Sequence, residues 1–238
     1  MFARPPTRLL ALALALAMLV VDSVAAEESP PPADSGGDTW YAQALARGRA
    51  GINVTHFWSK GPMLRAETVV AGHQVVTIVN GEWYYAYDAL VGRGLAIRRD
   101  PAAIALARSE GRPFGNEYHS LLEQGAELVR EEDVLGRRTG VYRVTDEMGQ
   151  RELWATLDDL HLPLRIEIYD RRSTERRYTD YLNWQSAMSI PDSFFQPEPR
   201  VAFERIELDE YFARTLAQGP VGPVPVLYAR LLHVRKKE

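Results

Sequence analysis

Cysteine is absent from all 238 residues. That excludes a disulfide framework, a thiolate metal site, a cysteine nucleophile and a lipid attached to a cysteine at a cleavage site. A membrane-length apolar run is also missing. The longest, residues 9–21, is about 13 residues, short of the ~20 that a helix needs to cross a bilayer core of ~30 Å. Excess positive charge is lacking too. With 28 Lys+Arg against 32 Asp+Glu the formal charge is −4, which gives no electrostatic drive toward nucleic acid or anionic lipid surfaces.

Catalytic signatures are equally sparse. There is no G-x-S-x-G elbow, and Ser59-Lys60 lacks the spacing of an S-x-x-K helix. Gly92-Arg93-Gly94 is too short to cradle a phosphate. Asp158, Asp159 and His161 are the densest group of metal-ligating residue types, but they precede Leu162-Pro163 in a turn where polar residues belong anyway. Glu117 and His119, two apart on a helix, point in different directions. His56 and His73 fall in strands, where they serve as hydrogen-bonding groups in or beside the core. The reading is a non-enzymatic protein with no catalytic residue, no metal and no cofactor.

What is present starts with Arg4 and Arg8 ahead of the apolar run and Val24-Ala25-Ala26 after it. That is the pattern of a secretory signal peptide, residues 1–26, cleaved near Ala26, and it implies a periplasmic protein that does not span the membrane once mature. Removing it takes away two arginines and one aspartate and leaves a formal charge of −5. Residues 27–38, EESPPPADSGGD, form a flexible leader with too little apolar surface to fold. A main domain over 39–203 and a C-terminal extension over 204–238 follow.

Within the domain, Thr39 and Gly48 bracket a predicted short helix, 40–47. The pattern then turns to a period of two. Ile52, Val54, His56 and Trp58 share one face of a strand, and Leu64, Ala66, Thr68 and Val70 one face of the next. Ala71-Gly72 leads into a third strand, and Asn80-Gly81 is a strong hairpin signal before the alternating Trp83, Tyr85 and Tyr87. Asp100-Pro101 opens a helix to about 110, and Asn116 caps a second over 117–124. Strands resume at 141–145, 152–155, 164–169 and 176–181. Residues 207–217 read as an amphipathic helix and 226–234 as an apolar segment that docks back on the body. Strands, helices and strands in that order predict an α+β fold with one antiparallel sheet.

Three stretches together resemble the LolA/LolB superfamily of periplasmic lipoprotein and lipid carriers, which includes RseB and LppX. Residues 60–99 show a proline turn, two strands, a hairpin of the V-x-N/D-G kind at Val79-Asn80-Gly81 and a W-x-Y-x-x-D aromatic strand. Residues 141–168 end in Leu162-Pro163-Leu164-Arg165-Ile166, and residues 181–201 hold a tyrosine and Asn183-Trp184 before the FFxPxP run. One departure is Gly61, where the lipoprotein shuttle of the family carries a basic residue before the proline; Lys60 stands one place earlier.

The resemblance implies a curved antiparallel half-barrel with helices over its concave face and an apolar cavity between them. The implied ligand is a lipid or lipid-modified molecule, and the implied role is lipoprotein-sorting-like carriage. The alternative is an RseB-like sensor that binds an inner- or outer-membrane protein partner. Trp58, Trp83, Tyr85, Tyr87, Trp154, Ile166 and Ile168 are the residues expected to line the cavity.

Overall fold

The structure is a computed structural model, and it describes residues 38–49 and 51–234. The expected signal peptide, residues 1–26, nearly all of the expected leader, 27–38, and residues 235–238 lie outside the described residues. Twelve strands form one sheet: β1 (Thr39–Gly48), β2 (Gly51–Lys60), β3 (Met63–Val70), β4 (His73–Asn80), β5 (Trp83–Asp88), β6 (Arg93–Arg98), β7 (Glu127–Val134), β8 (Arg137–Asp146), β9 (Gly149–Thr156), β10 (Pro163–Asp170), β11 (Glu175–Ser186) and β12 (Ala202–Ile206). Among the described residues four α-helices accompany them, α1 (Pro101–Glu110), α2 (Glu117–Glu123), α3 (Leu208–Gln218) and the single turn α4 (Ala229–Leu232), with a 3-10 turn at Asp192–Phe195. The spatial order is β12-β6-β5-β4-β3-β2-β1-β11-β10-β9-β8-β7. All neighbours are antiparallel except β6 and β12. The sheet is not closed; β12 and β7 are its edges, as in an open half-barrel.

Local chemistry accounts for much of this. Ala71 and Gly72 both take positive φ, 50° and 84°, as a two-residue turn matched to strand twist requires. Asp100 accepts a hydrogen bond from the Ala102 N–H at 2.9 Å, Pro101 follows in the first turn, and Gly111 ends α1 in the left-handed region. Asn116 departs from the expected cap. Its amide donates to the Arg112 carbonyl and to Glu110 rather than serving an N–H of α2.

The predicted helix over 40–47 is strand β1. Its alanines favour a helix in isolation, but β1 is paired along both edges, to β2 and to β11, and those ladders decide the outcome. Ala42 and Ala44 join the main core cluster with Phe57, Leu64, Tyr84, Phe114 and Tyr181.

The C-terminal residues belong to the same body. β12 completes one edge of the sheet, while Ile206, Val224, Leu231 and Leu232 are buried in the main cluster. Arg99, 4% exposed, fastens them. Its guanidinium donates to the carbonyls of Leu231 (2.6 Å), Gly81 (2.8 Å) and Ala103 (3.3 Å), joining the C-terminal segment, a hairpin and α1. Burial pushes its pKa down to about 10, so the group stays charged at neutral pH.

Candidate functional site

Both faces of the sheet are covered, by different layers. On one face the helices and the C-terminal segment pack over Ala42, Phe57, Leu64, Tyr84 and Leu95. On the other, residues 190–203 run across β3–β5. Phe195 is fully buried, the Asn80 amide donates to the Phe195 carbonyl at 3.2 Å, and Arg65 donates to the Phe194 carbonyl at 3.3 Å. Val201 and Phe203 pack there against Val76, Ile78 and Tyr87.

This arrangement divides the seven expected cavity residues. Ile166 lies on the helix-covered face, packed against the main cluster and against Leu121, Tyr142 and Leu153, and Ile168 follows on the same face by the period of two. The other five lie on the opposite face. Tyr85 and Tyr87 meet the Phe203 ring edge-on at 5.3 and 5.6 Å, and Arg205 lies over Trp83. Trp58 sits among Tyr41, His56 and Phe194. Trp154 donates to Glu132 and lies beneath Arg130 and Arg165. The structure therefore does not bring the seven together.

A cavity does exist on the helix-covered face. It has a volume of about 370 Å³, within the usual range of small-molecule sites. The loop between α1 and α2 shapes it. Phe114, held between Pro113 and Gly115, inserts under the sheet and stacks between Phe57 (5.1 Å, 16°) and Trp184 (5.6 Å, 9°). Gly115 has φ +69°, and a Cβ there would lie 2.5 Å from the Trp184 ring, so only glycine fits this approach. Phe57, Leu64, Phe114, Leu227, Tyr228 and Leu231 make the apolar wall.

Glu117, Tyr181 and Arg230 also line the cavity, and the first two pair with each other. The Tyr181 hydroxyl donates to Glu117 Oε1 at 2.8 Å. Burial raises the Tyr181 pKa well above that of a free phenol, and the neighbouring Glu117 charge raises it further, so it remains a donor. Glu117 Oε2 is shielded from solvent and has no hydrogen-bond partner. In the sequence Glu117 stands out only as a poor chelate with His119. The readable signal nearby is Phe114, an aromatic in a short loop between two helices.

A larger cleft, about 770 Å³, lies beside α2. Its walls include the exposed residues His119, Glu123 and Asp159. The His161 ring stacks on Tyr118 at 4.0 Å, while Asp158 accepts from Thr156 Oγ1 and the Leu160 N–H. No group that could hold a metal ion occurs among the described residues. His56 pairs with the Tyr41 hydroxyl (3.0 Å) and His73 with Asp88 (2.6 Å), the hydrogen-bonding roles expected of them.

The sequence matches no family model and no curated protein. Similar architectures occur among solved structures. An uncharacterized conserved protein from Thermus thermophilus is 11% identical over 71% of this chain and 90% of that one, with a TM-score of 0.49. The MucA/MucB complex of Pseudomonas aeruginosa gives 13% identity, 71% of this chain, 58% of that one and 0.44. Lipoprotein LppX of Mycobacterium tuberculosis gives 12%, 64%, 88% and 0.38. These similarities concern the path of the chain.

Proposed function

We propose that this chain is an exported binding protein that carries a lipid or another largely apolar small molecule in the cavity bounded by Phe57, Leu64, Phe114 and the 227–231 segment. The observation that carries the reading is that cavity: an apolar wall of Phe57, Leu64, Phe114, Leu227 and Leu231 with Glu117, Tyr181 and Arg230 beside it, on the helix-covered face of an open half-barrel. The resemblance of residues 60–99, 141–168 and 181–201 to periplasmic lipid carriers points the same way. A sensor that uses residues 204–238 as a free arm for a membrane-protein partner is less well supported, because Ile206, Val224, Leu231 and Leu232 are committed to the core.

The test is native mass spectrometry of the mature protein purified from its own envelope, followed by solvent extraction. A stoichiometric adduct that extracts as lipid is the expected result. Leu227→Trp, which fills the cavity from a half-buried position, should lose the adduct and still unfold cooperatively. A clean ligand-free mass for the wild-type protein, or an adduct unaffected by Leu227→Trp, would overturn the assignment.

A further inference from the structure

Five hairpins turn at one end of the sheet. The β1–β2, β3–β4, β5–β6, β8–β9 and β10–β11 pairs are all antiparallel, and the strand order brings their turns together along a single rim. In and beside these turns stand Ile52, Val69, Leu90, Val91 and Met148, each between 52% and 73% exposed. Val69 and Leu90 line one open groove with the exposed Val54, so the apolar surface is a patch rather than single scattered side chains.

Charge on the rim runs against that of the whole chain, which is −4. Arg49, Arg93, Arg171, Arg172 and Arg177 are exposed there, and none of the five forms an ion pair with another described residue. The nearby carboxylates are engaged. Asp88, Asp146 and Asp170 end β5, β8 and β10, and in each the Oδ1 accepts the N–H groups two and three residues on, at 2.8–3.2 Å. Asp146 also pairs with Arg151, and Glu175 accepts the Arg49 N–H at 3.1 Å. Among the described turn residues of this rim, Glu147 alone is an exposed carboxylate without such a bond. The aspartate bonds have a second effect. They fix the turns that carry Leu90, Val91 and Met148, so these side chains are displayed with little ordering left to do on contact.

Exposed apolar residues at the other end of the strands have different company. Leu135 and Leu160 stand beside Asp133, Asp158 and Asp159 in the chain.

We infer that the five-turn rim docks this protein on an anionic phospholipid bilayer, with Ile52, Leu90, Val91 and Met148 entering the interfacial layer and the arginines on lipid phosphates. Apolar tips gain by leaving water at headgroup depth. Arginine adds attraction to the surface charge and a fork of donors that matches phosphate oxygens. Separate tips on a curved sheet suit a fluid leaflet, which conforms to them. The inference is independent of the cavity and of what it holds.

Flotation of the mature protein with vesicles tests it. Vesicles of about equal parts phosphatidylglycerol and phosphatidylcholine should bind about tenfold or more tighter than phosphatidylcholine alone, and raising salt from about 50 to about 300 mM should weaken that binding several-fold. Ile52→Ser combined with Leu90→Ser changes two exposed positions outside the core and should weaken binding about tenfold or more. Arg171→Glu combined with Arg172→Glu should cut the preference for anionic vesicles by about tenfold or more. Leu135→Ser combined with Leu160→Ser, at the other end, should stay within about twofold of wild type. Three results would overturn the assignment: no binding of wild type to anionic vesicles, equal binding to both compositions, or equal losses from the apolar substitutions at the two ends. The comparison of compositions uses wild-type protein alone and needs no variant to fold.

Discussion

Replacing Phe114 by alanine removes the residue that holds the α1–α2 loop under the sheet. The side chain is 5% exposed, so its loss falls in the range of about 3–5 kcal/mol for a buried phenylalanine cut to alanine. Its two stacked partners, Phe57 and Trp184, add about 0.5–1.5 kcal/mol per aromatic pair beyond area burial. Against this, Phe114 already borders an open cavity, so part of its surface has no close-packed neighbour to lose. The net expectation is about 4 kcal/mol, a large share of the ~5–15 kcal/mol that stabilises a typical domain. Phe114→Leu keeps most of the volume and loses the stacking, and should cost about 1–2 kcal/mol. Urea unfolding followed by tryptophan fluorescence measures both, since Trp184 lies against Phe114 and reports on the loop directly. A cost below about 1 kcal/mol for Phe114→Ala, with an unchanged urea slope, would mean that the loop is not an anchored part of the fold.

Two further outcomes follow from the same packing and electrostatics. A Cβ on Gly94 would lie 2.4 Å from Tyr87 Cβ and 2.6 Å from the Ala86 carbonyl oxygen; because the backbone cannot yield locally, Gly94→Ala should force β5 and β6 apart and cost about 3 kcal/mol or more, and a thermal midpoint within a degree of wild type would refute the clash. The Asp88 carboxyl is held below its ordinary pKa of 3.8, first by its hydrogen bond to His73 and then by the Leu90 and Val91 N–H groups. A depressed acid contributes stability that is present above its unfolded pKa and lost as pH falls through the folded one. The stability gap between wild type and Asp88→Asn should therefore be full near pH 6 and close below pH 3.8, and a gap that stays constant in urea titrations from about pH 2.5 to 6 would disprove the assignment.

What could be read from the sequence is what short-range chemistry decides. β2, β3 and β5 show their period of two, the hairpin after β4 forms where the sequence signals it but turns on Gly81-Glu82 with Asn80 still paired to Trp83, and α1 carries both its cap and its stop beside it. β1 could not be read this way. Ala42, Ala44 and Ala46 favour a helix, and the ladder that overrides them pairs Trp40 with Ser186, far along the chain. β7 hides for another reason: as an edge strand with five charged residues among its eight, ELVREEDV, it shows little apolar alternation. β12 exists only through its parallel contact with β6.

The site shows a deeper limit. Alternation reveals that a strand has two faces; it does not say which faces the cavity. The usual inference, that the larger side chains point inward, fails when both faces are covered. Here residues 190–203 shelter Tyr85 and Tyr87, so the aromatic stripe that marks β5 most clearly belongs to the outer layer, while the cavity face of the same strand presents Tyr84 and Ala86. Residues 190–199 are legible as proline-rich and carrying two phenylalanines that need burial. That alone is a reason to expect a second apolar face, and β5 is where it lies. Glu117 and Tyr181 have no such signal. They are 64 residues apart, one opening a helix and one in a strand of mostly polar residues, and their pairing is a consequence of the completed fold. The pair beside the candidate cavity is therefore visible only once a short loop between two helices and a distant strand have been brought together.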